Sequence, residues 1–190
     1  SLTILGINHE QQHQELLLSD IKYTLSLNPL YPKLYEKNFV NHLNETSGWL
    51  KMEEGIYTVG HTTSEFCFDN ELGVHRVFLE PFEISNGLVT NGEFMAFIED
   101  EAYKKPQYWL DEGWAWVRDN KVEQPLYWKK VKDQWHQYTL SGLETIDKNA
   151  ILTHISFYEA SAFAQWKGHR LPTEFEWESA SNHLNWGTHW

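Results

Sequence analysis

Residues 1–27 carry one uninterrupted apolar period, and the chain that follows never repeats it. Leu2, Leu5, His9, Gln12, His13, Leu16, Leu17, Ile21 and Leu25 recur at spacings of three and four, the period of one helix face. Asn28-Pro29 closes the segment, because proline disfavours helical backbone in the residue before it. A lone amphipathic helix of this length has nothing of its own to bury that face against. Its partners are expected upstream of Ser1 or in another chain, so the chain reads as a piece of something longer. The tail Trp186-Gly187-Thr188-His189-Trp190, with no closing element, reads the same way.

Residues 28–50 form a polar and aromatic connector without a clear period. From about Trp49 the elements become short. Gly55–Gly60, Val74–Leu79 and Phe82–Ile84 read as strands, with a break at Pro81. Thr90-Asn91-Gly92-Glu93, Ser156-Phe157-Tyr158-Glu159 and Thr173-Glu174-Phe175-Glu176 are capping boxes that each open a helix. The second of these helices is expected to stop at Gly168. Residues 104–140 are rich in Trp and Gly, with short strand candidates such as Trp135–Tyr138. There is no internal repeat. The pattern is α+β.

Composition narrows the function classes. Ten Trp, nine Tyr and ten Phe in 190 residues bury too much surface for a disordered chain. The formal net charge of −12 disfavours nucleic acid and anionic membrane surfaces as partners, and no apolar run approaches spanning length. The single cysteine, Cys67, cannot form an internal disulfide. That fits a reducing compartment, and a cytoplasmic location is expected. Its neighbours Phe66 and Phe68 point to a packed thiol.

The sharpest local signal is His9-Glu10-Gln11-Gln12-His13. Positions i and i+4 of a helix share a face, with β-carbons about 6 Å apart, so two imidazoles there can bind one metal. The pair lies on the apolar stripe, which is expected to be buried, and buried imidazoles need partners. The bland reading is two polar residues on a solvated face. Two ligands do not complete a site. Glu15 lies about 200° from His13 on the helical wheel, and Asp20 about 10 Å further along the axis. Taken literally, the string is also His-Glu-x-x-His, the zinc-hydrolase motif with Glu10 as general base. No third ligand follows at the spacing such enzymes need.

His9 to Leu18 resembles the last bundle helix of the sulfoxide synthases of ergothioneine biosynthesis. Those proteins join a DinB-like four-helix bundle to a domain like the formylglycine-generating enzyme, a variant of the C-type lectin fold. Phe68-Asp69-Asn70-Glu71, His75-Arg76-Val77, Val89–Phe94 and Arg170–Glu178 are similar to successive motifs of that second domain. Gly113-Trp114-Ala115-Trp116 fits the Trp-rich insert of the synthases.

The resemblance implies the fold, the chemistry and the ligands. The fold is the terminal helix of a DinB-like bundle over residues 1–28 and a linker over 29–50. Residues 51–190 are then the N-terminal part of a formylglycine-generating-enzyme-like, C-type-lectin-like domain. The cofactor is iron(II), held by His9, His13 and a third histidine upstream of Ser1. Gln12 matches a residue that helps hold the histidine-derived substrate; its rival role is a plain hydrogen bond within the bundle. The expected catalytic tyrosine lies beyond Trp190. The implied substrates are dioxygen, trimethylhistidine (hercynine), and a cysteine-type thiol, either cysteine or γ-glutamylcysteine. Three alternatives stay open: an ovothiol-type synthase acting on histidine, the zinc hydrolase, and a binding module that has lost its metal.

Asp69, Asn70 and Glu71 have the composition of a calcium loop, but a turn with local hydrogen bonds is the stronger reading. His75, His136, His154 and His183 read as surface or packing residues. The Trp cluster at 109–116 reads as core packing rather than as an aromatic cage.

Overall fold

A computed structural model of the chain describes residues 2–36 and 48–184. It is a mixed helix and sheet structure that divides into two compact units. The first takes residues 2–32, 49–84 and 172–184; the second takes residues 33–36, 48 and 85–171.

In the first unit the periodic segment forms α1, Leu2–Ser26. It ends in a turn in which the Asn28 carboxamide oxygen accepts from the Leu30 N–H at 3.0 Å. Four short strands follow: β1 (Trp49–Met52), β2 (Gly55–Val59), β3 (His75–Leu79) and β4 (Phe82–Ser85). β1 pairs with β4, and β2 pairs antiparallel with β3, Tyr57 opposite Val77. The last helix among the described residues, Glu174–Ser181, packs on β2 and β3. There the His75 ring meets Phe175 edge-on at 5.6 Å. Glu178 accepts from the Gly60 N–H. Gly60 sits at φ +96°, with Val74 Cα 3.0 Å from where a β-carbon would be, so only glycine fits that turn without strain.

The second unit contains α2 (Asn91–Glu99), α3 (Asp111–Asn120), α4 (Phe157–Trp166) and a three-stranded antiparallel sheet. Its strands are β5 (Trp128–Val131), β6 (Gln134–Thr139) and β7 (Gly142–Thr145). The helix Glu174–Ser181 of the first unit is then α5. Phe94 and Phe97 of α2 are fully buried against Phe163 of α4, with Phe94 and Phe163 stacked at 5.4 Å. Each such ring contributes about 1.5–3 kcal/mol by leaving water.

All three expected capping boxes are present. Thr90, Ser156 and Thr173 each accept from the N–H three residues on, at 3.2–3.3 Å. The carboxylates of Glu93, Glu159 and Glu176 accept in return from the cap N–H groups at 2.7–3.0 Å. Gly168 follows α4 at φ +77°, as expected. The local hydrogen-bonded turn at Asp69–Glu71 is also present. Phe68 N–H donates to the Glu71 carboxylate at 2.7 Å and Asn70 N–H to that of Asp69 at 3.1 Å.

One expectation is corrected. Residues 111–120 are helix α3, where only loops and short strands were anticipated. Its N-cap is Leu110, which has no side-chain cap, and Gly113 interrupts its propensity. What holds it is packing, with Gly113 and Val117 buried. Among the described residues α1 buries none of its side chains, and Leu2 is 87% exposed.

Candidate functional site

The 3.6-residue period of α1 places His9 and His13 one turn apart. Their ring centroids are 4.5 Å apart and the planes are nearly perpendicular, at 84°. Gln12, directly before His13, and both histidines are exposed. The rings are thus side by side on an open surface, not locked into a packed core. Two ligands of one ion, each about 2 Å from it, stand about 3 Å apart at their donor atoms. Rings at this separation reach such positions by side-chain rotation. Imidazole nitrogens also suit iron(II).

Two rings alone do not make a metal site. Among the described residues, no group of three or more His, Cys, Asp or Glu side chains could hold a metal ion. Lys22, between three and four turns beyond His9 and half-buried, has its ammonium pushed down to about 8 by burial.

The remaining residues singled out in the sequence are structural. Cys67 is a free, half-buried thiol whose flanking rings, Phe66 and Phe68, meet at 5.1 Å. Trp109 is buried, and its indole N–H donates to the Ala102 carbonyl at 3.0 Å. His136 Nδ1 donates to the Gln134 carbonyl at 3.1 Å, and its Nε2 lies 3.3 Å from the Thr145 hydroxyl. The His154 ring lies 4.9 Å from Tyr127.

Residues that the sequence reading passed over meet where α3 and α4 begin. The Tyr158 hydroxyl donates to Glu112 Oε2 at 2.6 Å. The Glu112 carboxylate raises the Tyr158 phenol pKa above its ordinary range. The tyrosine ring lies so close to α3 that a β-carbon on Gly113 would stand 2.8 Å from it. Acidic Asp111 and Glu112 are a helix-start signal that could have located α3.

The model of the sulfatase-modifying factor enzyme 1-like domain matches residues 36–188. The hercynine oxygenase of Mycolicibacterium thermoresistibile is 30% identical over 178 residues, 92% of this chain and 38% of that protein. That of Mycolicibacterium smegmatis is also 30% identical, over 93% of this chain and 40% of its own length. The inactive C-alpha-formylglycine-generating enzyme 2 of Bos taurus is 28% identical over 72% of this chain and 49% of its own. The chain spans about two fifths of the length of the hercynine oxygenases it matches. Among the described residues no helix is long and apolar enough to cross a membrane.

Proposed function

The chain belongs to the sulfatase-modifying factor enzyme 1-like domain family, and from that premise we propose that it is part of an iron(II)-dependent sulfoxide synthase of ergothioneine biosynthesis. The reaction joins a cysteine-type thiol, cysteine or γ-glutamylcysteine, to the imidazole of trimethylhistidine and leaves the sulfur as a sulfoxide. The balance uses one dioxygen. One oxygen atom ends on sulfur; the other leaves as water with the thiol hydrogen and the displaced ring hydrogen. The observation that carries this reading is the His9–His13 ring pair at 4.5 Å on α1, in a chain similar to hercynine oxygenases over nine tenths of its length.

In this reading His9 and His13 each hold the ion through one ring nitrogen, and a third imidazole comes from an earlier helix. Iron(II), when bound, supplies the redox chemistry with dioxygen. The Gln12 carboxamide, exposed beside His13, offers both a donor and an acceptor to the imidazole substrate. α1 is then the terminal helix of a DinB-like four-helix bundle, whose other helices cover the exposed leucines. Residues 29–50 are the linker, and residues 51–190 are the first part of a lectin-like domain in a cytoplasmic enzyme. Supplying either trimethylhistidine or histidine to the full-length protein, with iron(II), thiol donor and air, tests the reading by mass spectrometry of the sulfoxide. Turnover of the trimethyl substrate is expected. Turnover of histidine alone overturns the substrate, and peptide cleavage by the zinc-loaded protein with no sulfoxide overturns the class.

A further inference from the structure

Trp109, Leu110, Asp111, Glu112, Phe157 and Tyr158 line an open cavity of about 480 Å³ at the first turns of α3 and α4. We propose that this cavity is a binding site for an organic cation with an apolar body, such as an aryl or alkyl ammonium compound. The proposal is independent of the iron chemistry above, because none of these residues belongs to α1.

Three features carry it. First, the walls are apolar and accessible: Phe157 is 63% exposed and Leu110 48% exposed. Such side chains gain by covering a ligand's hydrocarbon, and an aromatic face attracts a cation. Second, the charge at the rim has one sign. Asp111 and Glu112 are the charged residues of the lining, and among the described residues neither is ion-paired. Helix N-termini by themselves favour anions, but here the two carboxylates occupy the first turn of α3 and already answer its dipole. An anionic ligand would meet them at close range. Third, the walls are held in place. Tyr158 is fixed from both sides, by its 2.6 Å hydrogen bond to Glu112 and by contact with the bare α-carbon of Gly113. Little ordering is then left for the ligand to drive.

The test is an amide-resolved NMR titration with benzyltrimethylammonium, and with phenylacetate as the oppositely charged probe of similar size. The cation should give saturable shifts at the first turns of α3 and α4 with a dissociation constant in the millimolar range, weakening as salt is raised. Phenylacetate should give none. Phe157→Ala removes an exposed ring, and Asp111→Asn removes a charge that, among the described residues, makes no side-chain hydrogen bond. Each should weaken binding about two- to fivefold. Glu112→Gln should do the same while keeping an acceptor for Tyr158. The proposal is overturned by absent saturation with the cation, by equal response to phenylacetate, or by undiminished binding in all three variants.

Discussion

Tyr103 donates its phenolic hydrogen to Glu159 Oε1 at 2.5 Å, with both residues buried. The other oxygen of Glu159 accepts from the N–H and hydroxyl of Ser156 at 2.7 and 2.9 Å. One carboxylate therefore caps α4 and ties it to the turn Ala102–Lys104. Tyr103→Phe leaves that buried acceptor short of a donor and should cost about 1.5–3 kcal/mol, read as a lower urea midpoint at unchanged slope. Burial, with the Glu159 charge adding to it, holds the Tyr103 phenol pKa far above its ordinary 10.0. The unfolded chain's phenol ionises near 10.0 while the folded one keeps its proton. Its contribution is complete below pH 10 and falls above it by about 1.4 kcal/mol per pH unit. Wild type should lose stability between about pH 9 and 11 more steeply than Tyr103→Phe; equal slopes would refute the assignment.

Gly113→Ala separates packing from helix propensity. In an exposed helix the change would gain about 1 kcal/mol. Here the new methyl would stand 2.8–2.9 Å from three atoms of Tyr158, and overpacking of that kind costs about 1–3 kcal/mol. The clash should win and lower the melting temperature. Tyr158→Ala in the same chain should recover part of the loss through a non-additive cycle. A stabilised Gly113→Ala protein would show that α3 and α4 are not in close contact.

The turn joining β5 to β6 offers the opposite sign. Lys132 and Asp133 both have left-handed backbone, at φ +48° and +63°, between Val131 and Gln134, which face each other across the hairpin. Two central residues with positive φ are the hairpin geometry that Asn-Gly adopts with least strain. Lys132→Asn with Asp133→Gly should therefore stabilise the protein by roughly 0.5–1 kcal/mol. A lower melting temperature would mean that contacts of the Lys132 or Asp133 side chain outweigh the backbone strain.

What was legible in the sequence was local. α1 announced itself because nine residues keep one period, and α2, α4 and α5 because a capping box places donor and acceptor within four residues. α3 was not legible, because its stability comes from Gly113 accepting the ring of Tyr158, 45 positions away. The cavity beside it was invisible for the same reason. The histidine pair could be read from spacing alone, since one helical turn brings His9 to His13. A complete ligand set could not, because any further donors would have to come from chain segments whose approach no helical period predicts.

The last prediction concerns that pair. In the full-length protein His9→Ala and His13→Ala should each remove nearly all bound iron and nearly all turnover. Iron(II) stands low in the divalent affinity order, and two imidazoles left of three hold it poorly. Folding should survive. In the proposed bundle each ring borders a cavity that takes the ion, substrates and water, so truncation leaves no void in a packed core and should change stability by no more than about 0.5 kcal/mol. Histidines packed as core would behave differently, with a cavity costing about 2–4 kcal/mol on truncation. Glu10 lies about 100° round the wheel from His9 and has no part in the proposed ligand set. Glu10→Gln should keep iron content and sulfoxide formation, whereas a zinc hydrolase would lose its general base and nearly all activity. Metal analysis, thermal melting and product formation on these three variants decide the matter, and undiminished iron in both histidine variants would remove His9 and His13 from the metal site.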